Sequence, residues 1–164
     1  MYNKGDYIIY GINGVCRIQD YMESESFGEK KTCYILRPLD QDGSKIFTPV
    51  DNQKVFMRPL ISREEAAKLI EGIPQYDDMI FHERKDQEQE YKKILQKYDC
   101  TVYLRFIKAL YRRRESRESK GKKITAMDEK YLTLAKRILL GELSVVLNLT
   151  VNDIDRLLAE KFKS

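Results

Sequence analysis

The alternation of apolar and polar positions changes rhythm near residue 60. Before it, short β-branched and aromatic runs are cut every few residues by turn signals, the pattern of strands. Residues 6–10 (DYIIY) are followed by Gly11-Ile12-Asn13-Gly14, where Asn-Gly suits the positive φ of a tight turn. Residues 15–21 alternate as a second strand, with Val15, Arg17 and Gln19 on one face and Cys16, Ile18 and Tyr21 towards the other. A polar stretch over residues 23–31, containing Gly28, reads as a loop. Residues 32–39 give a third strand, Asp42-Gly43 a turn, residues 45–48 a fourth strand stopped by Pro49, and residues 55–58 a short fifth. Five short strands in so few residues suggest a small SH3- or Tudor-like β-barrel.

Beyond residue 60 the period becomes helical. Ser62 with Glu65 fits a capping box, and Gly72 with Pro74 ends that helix. A second helix is expected from near Phe81 to Tyr98, with sparse apolar positions Tyr91, Ile94, Leu95 and Tyr98. Asp99 can cap a third, whose stripe is Val102, Phe106, Ala109 and Leu110, widened by Tyr103 and Ile107. Gly121 is expected to break it. Thr125 with Asp128 opens a fourth helix carrying Tyr131, Leu132, Leu134, Ala135, Ile138 and Leu139, and Thr150 with Asp153 opens a fifth. Gly141 interrupts the fourth pattern, at a cost of about 1 kcal/mol relative to Ala, and marks either close helix packing or a local break. The expectation is an α+β chain: residues 1–60 a small barrel, residues 61–164 an all-α domain.

Charge sharpens this division. Residues 1–60 hold eight basic and eight acidic side chains, whereas the whole chain carries +4. Within the helical half, residues 105–123 contain nine Lys or Arg against two Glu. Charge this dense becomes favourable beside a polyanion, although a solvated helix face or neutralisation of acidic neighbours would also account for it. Other classes of function find little support. No apolar run is long enough to span a membrane, and the N-terminus turns polar too soon for a secretory signal. Cys16, Cys33 and Cys100 are odd in number and widely spaced, which suits free thiols in a reducing cytosol. His82 is the only histidine, and no two Cys or His stand at metal-ligand spacing. With no Ser-His-Asp set and no Gly-rich phosphate loop, neither catalysis nor a cofactor is expected.

Several fragments together carry a resemblance. Gly5-Asp6-Tyr7-Ile8-Ile9-Tyr10, Asn13-Gly14-Val15, the strand ending at Pro49 and the Arg58-Pro59-Leu60 exit come first. Tyr91-Lys92, Leu110-Tyr111-Arg112-Arg113, Ala135-Lys136-Arg137-Ile138-Leu139 and Gly141-Glu142-Leu143 follow in order. The chain resembles the CarD/CdnL family of bacterial transcription regulators, whose N-terminal module also occurs in transcription-repair coupling factors. Helicase motifs, which a coupling factor would need, are not found in the sequence.

The resemblance implies a cytoplasmic, nucleoid-associated, non-enzymatic regulator. Its barrel would pair with the RNA polymerase β subunit by strand addition, through Lys45, Ile46, Phe47 and Thr48. Some relatives carry a basic side chain where Phe47 stands, so Phe47 is either an apolar anchor or barrel core. The helical half would touch promoter DNA at the upstream edge of the melted −10 region. Relatives wedge a tryptophan there, four residues before the tyrosine of the Tyr-Lys pair; here that position is Gln87 and the chain has no tryptophan. Met79, Ile80 and Phe81 are the apolar substitutes, with Phe81 the main candidate for a wedge, unless it packs in the core. Lys92 is the foremost DNA contact, with Arg84 and Lys85 beside it and Arg112 and Arg113 as a second group. A non-catalytic adaptor that turns the barrel and basic helix on other proteins is the alternative.

Overall fold

The computed structural model describes every residue except Phe27, Asp42, His82, Glu83, Arg84 and Ser164, together with all side chains of the rest but that of Ser26. The chain divides into two compact units, Met1–Leu60 and Ile61–Ser164. The first is a five-stranded antiparallel sheet and the second a set of helices, an α+β chain.

In the first unit the strands are β1 (Tyr7–Tyr10), β2 (Val15–Ser26), β3 (Glu29–Pro38), β4 (Ile46–Pro49) and β5 (Met57–Pro59), in the sheet order β4-β3-β2-β1-β5. The sheet curls around Ile8, Tyr10, Cys16, Ile18, Tyr34 and Leu36, with Ile46 of β4 and Met57 of β5 packed on the same cluster. Between β1 and β2 the positive φ values fall on Gly11 and Gly14, so Asn13 need not adopt one. A bulge shifts the β2–β3 register between Ile18 and Asp20. One extra residue there turns Asp20 outward and lets Tyr21 rejoin the core that Ile18 faces.

Residues 23–31, expected as a loop, instead continue β2 and β3 as a paired ribbon, with Glu23↔Thr32, Ser24↔Lys31 and Glu25↔Lys30 opposite one another. Nearly all these side chains are exposed, so no face carries the apolar alternation that marks a strand in sequence. Pairing rests on the backbone ladder and opposed charges such as Glu25 and Lys30.

The helical unit contains α1 (Arg63–Glu71), α2 (Gln87–Leu95), α3 (Cys100–Ser119), α4 (Ala126–Leu147) and α5 (Val151–Phe162). Its helix starts follow local chemistry. The amide of Glu65 donates to Ser62 Oγ at 3.0 Å while the Ser62 amide donates to Glu65 Oε1 at 3.2 Å. Asp99, Thr125 and Thr150 accept from the amides of Val102, Asp128 and Asp153. Helix α3 ends at Ser119, and Gly121 follows with φ +74°. Gly141 stays inside an unbroken α4. The second helix begins at Gln87, not near Phe81: Asp86 provides no side-chain cap, and Met79–Phe81 precede it without helical structure.

Polar groups are built into this core. Asp128 is fully buried on α4, where it accepts from Tyr91 Oη of α2 at 2.7 Å and faces Arg113 Nε of α3 at 3.3 Å. Arg113 also donates to Tyr91 Oη at 3.2 Å. Around them Phe81, Tyr91, Phe106 and Tyr131 meet edge to face, with centroids 5.0–5.8 Å apart. Glu142, also fully buried, accepts from the Ile61 amide at 2.9 Å and the Cys100 thiol at 3.2 Å.

Removing Arg113 leaves Asp128 buried without its cation. For Arg113→Ala we expect a loss of about 2–3 kcal/mol by urea unfolding, below the value for a wholly buried pair because Arg113 is a third exposed. Adding Asp128→Asn should recover part of the loss, a coupling that a double-mutant cycle reads directly. Burial, then the bond to Asp128, raises the Tyr91 phenol well above its ordinary pKa. In the unfolded chain the phenol ionises near pH 10, while the folded form keeps its proton. This contribution is therefore complete below about pH 10 and disappears as pH rises further. Urea midpoints of Tyr91→Phe should fall less steeply than those of wild type above about pH 10.

Candidate functional site

Strand β4 is one end of the sheet, and among the described residues its only ladder partner is β3. Residues along it alternate: Ile46 packs on the core and Thr48 is buried, whereas Phe47 is 56% exposed and Lys45, just before the strand, is exposed. Phe47 is therefore not barrel core. Its ring lies on the outer face of the sheet, opposite Ile35 of β3. The backbone edge beside it can accept an added strand, and a large exposed aromatic next to such an edge supplies an anchor.

The segment before α2 separates the three apolar candidates, and Met79 packs, partly buried, against the helical core. Phe81 packs against Tyr91 and Phe106, and the Arg113 guanidinium lies 5.7 Å from its ring centroid. Ile80, its neighbour, is 75% exposed. Of the two readings of Phe81, wedge or core packing, the aromatic cluster supports the second. Lys92 lies on the outward face of α2, exposed together with Lys93 and Gln89, while Tyr91, Ile94 and Leu95 face inward. Lys85 is exposed just before the helix. Arg84, the third basic candidate of this group, and His82 lie outside the described residues.

Most cations of the α3 run are engaged by groups within the helical unit, although only Lys108 is buried. Arg105, Lys108 and Arg112 follow helical spacing and share one face. Arg105 Nε donates to the Asp77 carbonyl at 3.1 Å. Lys108 is buried and donates to the carbonyls of Ile73 and Tyr76, each at 3.2 Å. Arg112 pairs with Asp78 at 2.5 Å. These three side chains fasten the segment that runs from α1 towards Ile80. Arg113 serves Asp128, Arg114 stacks 5.4 Å from the Tyr111 ring, and Arg117 Nε donates to the Lys123 carbonyl at 2.7 Å. Arg112 and Arg113, two of the proposed DNA contacts, thus have anionic partners within the unit. Lys120, Lys122 and Lys123 remain exposed at the turn.

Among the described residues no group of His, Cys, Asp or Glu is arranged to hold a metal ion, and no helix is long and apolar enough to cross a membrane. Residues 2–61 match the family model of the CarD-like/TRCF RID domain, an RNA-polymerase-interacting domain. No curated protein matches the chain. The matched residues coincide with the sheet unit that bears the exposed β4 edge and Phe47. Through residues 2–61 the chain carries a CarD-like/TRCF RID domain, the kind of unit that interacts with RNA polymerase.

Proposed function

We propose that the protein is a non-enzymatic transcription regulator that grips the RNA polymerase β subunit with its sheet and promoter DNA with its helices. The observation that carries this reading is the exposed Phe47 on an end strand of a polymerase-interacting domain. The partner strand pairs along β4 as far as Pro49, which has no amide hydrogen to donate. Phe47 enters an apolar pocket on the β subunit. Such a partner works beside the nucleoid, in the cytoplasm.

The helical unit would lie against the upstream edge of the melted −10 region. Lys92 and Lys85 meet phosphates there, so this contact is salt-sensitive and nearly indifferent to sequence. Ile80 takes the place of the missing tryptophan as the apolar tip, and the half-buried Phe81 behind it acts as its root. Minor-groove proteins use isoleucine in this way to part base steps. A tip that fits an unstacked junction better than intact duplex shifts the equilibrium towards the open promoter. DNA affinity without polymerase is weak, because the tether supplies effective concentration.

Phe47→Ala should weaken binding to RNA polymerase core at least tenfold in a titration, with the melting temperature unchanged because the ring is exposed. Wild-type affinity in that variant would remove the anchor. In promoter assays Ile80→Ala should shorten the open-complex lifetime roughly tenfold, the effect of losing about 1.4 kcal/mol of apolar contact, while leaving unfolding unchanged. Phe81→Ala should instead lower the urea midpoint. A lifetime unaffected by Ile80→Ala would eliminate the wedge.

A further inference from the structure

The outer face of the sheet holds a second feature that strand addition leaves unexplained. Tyr7, Arg17 and Arg37 are register partners in a row across β1, β2 and β3. Two arginines therefore stand directly opposite one another, an arrangement that destabilises a sheet unless an anion lies between them. Each has a neutral neighbour: Arg37 Nε donates to Gln19 Oε1 at 2.8 Å, and the Arg17 guanidinium lies 5.9 Å from the Tyr7 centroid. Neither makes an ion pair with a carboxylate among the described residues. Lys4 adds a third cation, and its 3.7 Å pair with exposed Asp20 is, among the described residues, the one ion pair to the group.

These side chains line a cavity of about 320 Å³ with Gly5, Ile18 and Gln19. Its shape comes from the backbone. The bulge at Gln19 bends β2, and the Gly5 amide donates to the Ile18 carbonyl at 2.8 Å, bringing the Lys4–Gly5 segment alongside. Gly5 has φ +93°, and a Cβ there would stand 4.0 Å from Arg17 Nη2. Ile35 and Arg37 are two residues apart on β3, so Phe47, opposite Ile35, shares this face. Strand spacing puts the ring roughly 10–15 Å from the arginine pair.

We propose that the cavity bounded by Lys4, Arg17 and Arg37 receives an acidic side chain from the polymerase surface that binds β4. This inference rests on the reading of β4 and Phe47 as the polymerase contact, and it names the partner's chemistry one step further along that face. A carboxylate between Arg17 and Arg37 relieves their repulsion and accepts from both forks, which a neutral or basic partner surface would not do. The row gives the interface a charge requirement that backbone pairing lacks, so acidic partner surfaces are selected and basic ones repelled.

Arg17→Glu tests it because its two effects have opposite signs. Facing Arg37 across the strands, the glutamate replaces repulsion with attraction, so the melting temperature should stay level or rise by a few degrees. Binding to RNA polymerase core, titrated at two salt concentrations, should weaken about tenfold or more, with a shallower salt dependence than wild type. Phe47→Ala and wild type are measured alongside. Arg17→Glu at wild-type affinity, with Phe47→Ala weakened, overturns the acidic-side-chain site and leaves the β4 contact standing. Failure of wild type to bind polymerase removes the β4 reading and this inference with it. Loss of duplex DNA retention in Arg17→Glu, at unchanged polymerase affinity, overturns the inference in favour of a nucleic-acid phosphate.

Discussion

A carboxylate enclosed by aromatic rings must have a cation beside it, and the helical unit is arranged around that requirement. Asp128 comes from α4, the guanidinium of Arg113 from α3 and the phenol of Tyr91 from α2. Buried ion pairs are poor sources of net stability, because desolvation offsets most of their attraction. Their partners, however, are penalised heavily when separated. A slide of α3 by one turn would strand Asp128, so the pair fixes the register of three helices. It also fixes Phe81, which lies beneath the same guanidinium. Ile80 is exposed next to a residue that the core holds in place.

The same logic changes the meaning of the basic run. Nine cations in residues 105–123 read as an external electrostatic surface when only their density is considered. Helical spacing sorts them differently. Arg105, Lys108 and Arg112 converge on residues 73–78, a stretch whose carbonyls need donors because its short 3₁₀ turn, Ile73–Gln75, satisfies few of them. A lysine buried as deeply as Lys108 is tolerated because two carbonyls accept from it and Asp78 stands 4.0 Å away. Cations already engaged in this way contribute less field to an incoming phosphate than exposed ones do. An incoming polyanion would then meet its exposed cations chiefly on α2, where Lys92 and Lys93 face outward.

What could be read from sequence was what is decided within a few residues. The caps at Ser62, Asp99, Thr125 and Thr150 are formed by groups three residues apart, and each is present. Order and class of the elements followed from the change of period. Interactions between distant residues were hidden: Lys108 meets Ile73 across 35 positions, Tyr91 meets Asp128 across 37, and Ile61 meets Glu142 across 81. The β2–β3 ribbon was missed because both its faces are wet, which erases the alternation that signals a strand. Phe47 could be assigned to the fourth strand but not to a face, since strand length and register decide that. Alternation put Arg17 on the strand face away from Cys16 and Ile18, yet only the β2–β3 register puts Arg37 opposite it.

An edge strand alone is a weak basis for recognition. Main-chain hydrogen bonds are blind to sequence, and β4 is four residues long with a proline at its end. At about 1 kcal/mol net each, the few bonds it can form fall well short of the ~8 kcal/mol of a micromolar complex, before any loss of translational freedom is counted. Affinity and choice of partner must then come from side chains beside the edge. Phe47 offers apolar area, worth about 2–3 kcal/mol if wholly covered, but many apolar pockets would accept it. The arginines on the same face add what an aromatic ring cannot, a sign of charge. A strand added to β4 would have to satisfy edge, ring and charge together, and each further condition excludes surfaces that meet the others.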